Sequence, residues 1–127
     1  MYNGYLIKID GKILPLEYMV GDSWKCNPDS RRILADIYDG EGCRHLCMSR
    51  HLRSVIEFNL VEHTNLSHPD IMAFFNKREN VEVEFYNDNT GEYRAGIFTI
   101  DECNPHHKYR NEKEIWYAEC AVKLEEN

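Results

Sequence analysis

The residue types best able to do chemistry in this chain are thiols and imidazoles. Cys43 and Cys47 are separated by three residues, with His45 between them and His51 just beyond, and Cys103 precedes the pair His106-His107. Zinc accepts both donor types. A structural zinc site, however, takes four ligands, usually in tight pairs such as CxxC, and neither segment has that spacing. We therefore read both groups as ordinary thiols and histidines and assign no metal ligand. A cysteine nucleophile paired with an imidazole would need a segment that presents the sulfur, and no cysteine lies in such a glycine-rich context. The motifs GxSxG, GxxxxGK[ST], GxGxxG and HExxH are all missing from the sequence. Glu82 and Glu84 share one face of a strand and have the composition of an acid–base pair. Solvated glutamates on a polar strand face are the simpler reading. No catalytic residue and no cofactor is assigned, and the chain is expected not to be an enzyme.

Charge is the remaining chemical feature. The chain carries 15 Lys and Arg against 22 Asp and Glu, a formal charge of −7. Residues 1–66 hold 8 basic and 9 acidic side chains, net −1, and residues 67–127 hold 7 and 13, net −6. Within the first part, Gly42–Ile56 contains Arg44, Arg50, Arg53, His45 and His51 and no acid. The overall acidity excludes a general nucleic-acid binder, which needs basic charge to displace counterions. The basic stretch also lacks the interleaved aromatics that stack on bases. Arginine pairs its planar fork with carboxylates, so this stretch suits an acidic neighbour, including a second copy of the same chain. Eight tyrosines and two tryptophans serve either such an interface or ordinary β-sheet packing.

A chain of 127 residues and 15.1 kDa is one domain, 1–127, large enough to bury a real core. The start, Met1-Tyr2-Asn3-Gly4-Tyr5, is not a basic segment followed by an apolar run. No apolar stretch approaches the ~20 residues of a membrane helix. A soluble protein made in a cytosol is expected, its five cysteines reduced.

Period-two alternation dominates the elements available to position these residues. Tyr5, Ile7 and Ile9 share a face, Asp10-Gly11 makes a tight turn, and Lys12–Leu14 return. Leu16, Tyr18 and Val20 predict a further strand, and Asn27-Pro28-Asp29-Ser30 a turn. Arg32–Tyr38 reads as a strand, 39–42 as a hairpin tip, and Cys43–Met48 is ambiguous. Arg50–Val61 is a strand of roughly 40 Å at ~3.3 Å per residue, long enough to imply a ribbon or a bend. Ser67, Pro69 and Asp70 carry helix-start signals, with Leu66 placed to staple onto Ile71. Ile71, Phe74 and Phe75 then predict one helix of about 11 residues, ending near 77–80. Val81–Tyr86 and Tyr93–Ile100 flank a turn at 87–91, the clearest hairpin of the chain. A polar loop over 101–112 and one last strand from Trp116 to Glu125 follow. Strands, one helix, then strands make a mainly β fold, a sandwich or barrel with one flanking α-helix.

The whole chain resembles a family of small tail proteins of long-tailed bacteriophages and prophages. The residues that carry the resemblance are Ile7-Lys8-Ile9-Asp10-Gly11-Lys12-Ile13-Leu14-Pro15, the hairpin Val83–Phe98 with its Tyr86, Asp88, Thr90-Gly91, Tyr93 and Gly96-Ile97-Phe98, and the late Trp116 before an acid-ended strand. The Cys43–Cys47 segment and the His106-His107 loop depart from the family pattern. The resemblance implies a tail-tube-like fold, a β-sandwich with a helix on its flank that forms hexameric rings around a lumen. It supplies no catalytic residues.

The expected function is therefore structural: a tail-tube or tube-to-baseplate ring component that self-assembles around the channel for DNA and the tape-measure protein. Expected partners are copies of itself and other tail proteins, including distal tail and baseplate proteins, with DNA only in passage and no membrane. The expected location is the virion, after synthesis in the bacterial cytoplasm. Arg44, Arg50 and Arg53 are the expected subunit contacts. The alternative is a soluble β-barrel binding module or assembly adaptor without catalytic activity.

Overall fold

The structure is a computed structural model that describes every residue's backbone except 39 and 43, and the side chains outside 29–39 and 43–52. In chain order come β1 (Ile7–Ile9), β2 (Lys12–Ile13), a 3-10 turn (Leu16–Tyr18), β3 (Lys25–Tyr38), β4 (Arg44–Leu60), β5 (His63–Thr64), α1 (His68–Met72), β6 (Val81–Asn87), β7 (Glu92–Cys103), β8 (His107–Arg110), β9 (Ile115–Tyr117) and β10 (Cys120–Glu126). A seven-stranded antiparallel sheet runs β2-β1-β6-β7-β10-β4-β3, and a small sheet runs β5-β9-β8. The mainly β expectation holds.

The core is formed by one face of this alternation in each strand. Ile56, Phe58 and Leu60 of β4, Val81, Val83 and Phe85 of β6, and Cys120, Val122 and Leu124 of β10 are all buried. In β7 the buried positions are Phe98, Ile100 and Cys103, which breaks the period. The register explains it. Lys123 faces Glu102 while Leu124 faces Ile100, so Asp101 is an extra residue bulged out of β7. Phe85 meets Phe98 edge-on at 5.6 Å, and Phe58 lies between Trp24 at 6.0 Å and Phe75 at 6.4 Å. Asp10 and Gly11 have φ of 53° and 82°, the two positive values that a two-residue hairpin turn requires.

Five expectations are corrected. Leu16–Tyr18 is a 3-10 turn and not a strand: Tyr18 N–H donates to Pro15 O and Met19 N–H to Leu16 O, both at 3.1 Å. Proline's fixed φ favours entry into a helical turn. It is Met19 that is buried, bridged to Leu60. Asn27–Ser30 is not a turn but a register shift inside β3. Pro28 is tolerated there because β3 is an edge strand at a bulge. The helix is 5 residues long, Ser67 makes no side-chain cap and Leu66 is 84% exposed, so neither capping box nor staple forms. After Phe75 the chain is captured by β7, where Ile100 N–H donates to Arg78 O at 2.8 Å and Arg78 donates to Cys103 O at 3.1 Å. Ile71 of the helix and Phe75 just after it are nevertheless buried. The polar loop at 101–112 is shorter than expected, because β7 reaches Cys103 and β8 occupies His107–Arg110. Finally, the last strand is two. Trp116 belongs to the small sheet, and the chain changes sheets at Ala118-Glu119, with Ala118 N–H donating to His106 O at 3.0 Å.

The long strand does become a ribbon. β10 pairs with β4 from Leu60 to Val55, whereas β3 pairs with it on to Arg44. Arg44–Ser54 therefore leaves the sheet as a two-stranded arm of roughly 35 Å at ~3.3 Å per residue. At the arm's base, the Ser54 N–H that would next meet β10 donates instead to Glu126 Oε1 at 3.0 Å. Arg94 completes the junction, donating to Ser54 Oγ at 3.0 Å and to both Glu126 oxygens at 3.0 and 3.1 Å. Its guanidinium also sits 5.9 Å from the centre of the Phe85 ring.

Gly96 makes room for this junction, since a Cβ there would lie 2.5 Å from Glu126 Oε2 and 3.1 Å from Phe98. Glu126 is held by several bonds and does not yield freely, so Gly96→Ala is expected to cost about 1–3 kcal/mol. A lower urea midpoint at unchanged slope checks it. Replacing 31–52 by an Asn-Gly turn, which keeps the Ser30–Arg53 pairing, is expected to leave a folded body. Retained near-ultraviolet dichroism and a cooperative melt are the readout.

Candidate assembly interface

The basic stretch identified in the sequence lies on the arm and its root. Arg53 faces Ser30 in the ladder and is partly buried. Arg44 faces Tyr38 near the tip, and Arg50 lies between them on β4. The side chains of Arg44 and Arg50 are outside the described residues, as are Cys43, Cys47, His45 and His51. What the backbone supplies is a strand pair that leaves the main sheet and carries these arginines with it. β3 is also the last strand of the seven-stranded sheet, with β2 at the other end. Edge strands of this kind present backbone donors and acceptors for further pairing.

The face of the large sheet opposite the core is polar and acidic. Lys8, Glu82, Glu84, Ala95 and Ile97 line a shallow groove of about 360 Å³ on it. Glu82 and Glu84, read from the sequence as glutamates of a polar strand face, differ in role. Glu84 accepts the Tyr5 phenol at 2.8 Å, while Glu82 is exposed. That hydrogen bond pushes Tyr5 up to about 12, with burial and the Glu84 charge acting in the same direction. A phenol so held donates structurally and is a poor acid. The tyrosines cluster here: Tyr5 stacks on Tyr93 at 4.6 Å, and Tyr2 meets Tyr86 edge-on at 5.5 Å. Asn3 N–H donates to Tyr93 Oη at 2.9 Å, and Tyr93 donates to Tyr5 O at 2.7 Å. They bind the N-terminal segment across the β6–β7 hairpin.

In the core, Cys103 finds another thiol and not the histidines near it in sequence. Its hydrogen bond toward Cys120, together with burial, pushes its thiol above the usual range. Cys120 Sγ lies 3.4 Å from Ala121 O. His107 packs edge-on against Tyr117 at 5.1 Å. Among the described residues, no three His, Cys, Asp or Glu side chains converge as metal ligands. The sequence reading missed His63 and His68, whose side chains meet at 2.7 Å. They flank a helix start, where each reads as an isolated surface histidine. Only the docking of β5 beside β9 brings them under Tyr117.

The fold has relatives among solved structures. One is a chain of the virion of a native gene transfer agent particle, with a TM-score of 0.52 and 14% identity, covering 98% of this chain and 91% of that one. Another comes from the tail of an empty gene transfer agent particle of C6 symmetry, with a TM-score of 0.52 and 16% identity, covering 100% and 95%. At such identities the likeness is one of fold, and it confirms the expected phage-tail-like architecture. No curated protein matches the chain. A family model does match, over residues 1–126, and by that match the chain belongs to DUF6711, a family of unknown function.

Proposed function

We propose that this protein is a non-enzymatic structural component of a bacteriophage-type tail that assembles into rings, six copies to a ring, around the channel for DNA and the tape-measure protein. The observation that carries this reading is the likeness in fold, across the whole chain, to a chain of a C6-symmetric tail. Its place is the tube or a ring between tube and baseplate. Its neighbours are copies of itself and further tail proteins, and DNA is a passing occupant. The virion is then its site of action, and the bacterial cytoplasm its site of synthesis.

The physical features support ring formation. A two-stranded ribbon standing alone is marginal in water, and the Arg44–Ser54 arm gains stability when a neighbour covers it. Closing a ring by rotation needs two different complementary patches on each subunit. The arm's Gly42–Ile56 stretch, with three arginines and no acid, and the C-terminal half, net −6 for residues 67–127, supply opposite signs. Arg44, Arg50 and Arg53 are the proposed contacts to carboxylates of the adjacent copy, with backbone edges pairing alongside. A net acidic wall around the channel would repel DNA and keep it from sticking.

The triple variant Arg44→Glu, Arg50→Glu, Arg53→Glu is expected to remain folded by circular dichroism but to stay monomeric where the parent forms rings in negative-stain images. Normal rings from the variant would remove these arginines from the interface. A parent protein that stays monomeric at high concentration would support a soluble binding module in place of a tail component.

A further inference from the structure

Three aromatic rings stack between β5, the first residue of α1 and β9. The His68 ring lies 3.7 Å from Tyr117 at 3°, and the His63 ring lies 5.0 Å from His68 and 5.1 Å from Tyr117, at 9° and 11°. His63 is 6% exposed. Its Nδ1 is 2.9 Å from Val61 O, and its Nε2 is 2.7 Å from His68 Nδ1. A carbonyl only accepts, so His63 Nδ1 carries the hydrogen. In a neutral ring Nε2 is then a bare acceptor, and His68 Nδ1 must donate to it. One carbonyl thus sets both tautomers.

The pair can take one proton without loss, at His68 Nε2. A second proton has to go to His63 Nε2. It would set two N–H groups against each other across 2.7 Å and two cations 5.0 Å apart. The surroundings do not offset this. Glu62, next to His63, is committed to Lys108 of β8 at 2.7 Å, and Glu114 of β9 accepts from Trp116 Nε1 at 3.0 Å. Glu17 and Tyr18 of the 3-10 turn line the same groove as His63, and Asp70 lies on α1. From β8, His107 and Lys108 add positive charge or the capacity for it. Among the described residues no carboxylate is hydrogen-bonded to either imidazole. Burial, then the charges of His63 and His107, hold His68 below the ordinary histidine value.

We propose that the His63–His68 pair is a proton-sensitive latch that holds the start of α1 against the small sheet at neutral pH and releases it in mildly acid solution. In the open state both imidazoles titrate near ~6.5, while the closed pair keeps its bonds with at most one proton. Below that pH the open state binds more protons. Closure is therefore fully favoured above about pH 6.5 and weakens as pH falls, by up to about tenfold in the opening equilibrium per pH unit for one excess proton.

Amide hydrogen exchange on the full chain, corrected for intrinsic rates, tests this. The reporters are Asn65 N–H, bonded to Ile115 O at 3.0 Å, and Ile115 N–H, bonded to Asn65 Oδ1 at 3.1 Å. Their protection is expected to be level above about pH 6.5 and to fall by up to about tenfold per unit toward about pH 5. His68→Asn keeps an N–H donor near the Nδ1 position but cannot be protonated, and is expected to flatten the slope. An unchanged slope in this variant, or none in the parent, overturns the latch. Should the variant fail to fold, nitrogen NMR of the parent imidazoles decides. One shared proton at about pH 5.5 upholds the proposal. Two fully protonated rings with unchanged Asn65 protection refute it.

Discussion

β4 belongs to two structures at once, and the rest of the molecule is arranged around the point where it passes between them. From Leu60 to Val55 it is an interior strand, flanked by β10 and β3 and burying Ile56, Phe58 and Leu60. Beyond Val55, among the described residues, it is paired with β3 and no longer with β10. A strand that loses a partner in mid-length exposes backbone groups that must be satisfied. Glu126 meets the first of them with a carboxylate, Arg94 neutralises and orients that carboxylate, and Gly96 gives it room. Ser54, though polar, is 0% exposed at the centre of this junction. A charged pair is costly to bury unless its geometry is good and its remaining lone pairs are used, and here most of them are. The junction fixes where the core stops and the arm begins.

Local preference loses to tertiary contact wherever the two compete. The segment after Ser67 has helix-start residues and an apolar stripe, yet the helix stops at Met72. An isolated helix this short has little stability of its own. What holds the segment is burial of Ile71 and Phe75 and the capture of Arg78 by β7. Similarly, Trp116–Glu125 has unbroken alternation, but the small sheet takes its first residues and the large sheet the remainder. Alternation says which residues share a face and is silent on which sheet receives it.

The legible part of the sequence was the part with redundant local signals. The hairpin of β6 and β7 has alternation on both sides and a turn of Asn87-Asp88-Asn89-Thr90-Gly91 between them, with Gly91 at φ 72°. The turn at Asp10-Gly11 is equally explicit. The candidate interface was legible as a charge pattern, because Gly42–Ile56 lacks acids. That this segment projects as an arm was foreshadowed only by excessive strand length. The His63–His68 contact carried no local signal at all.

Read alone, the residues specify a mainly β fold, the positions that alternate toward a core, two tight turns, and a basic segment set in an acidic chain. These follow from side-chain polarity and backbone preference, which act over a few residues. Long-range packing fixes where β4 parts from β10, where the chain changes sheets, that Cys103 meets Cys120, and that two histidines share one hydrogen bond. Each of these depends on which strand lies beside which. That choice is made by burial and pairing between residues far apart in the chain, and no local pattern encodes it.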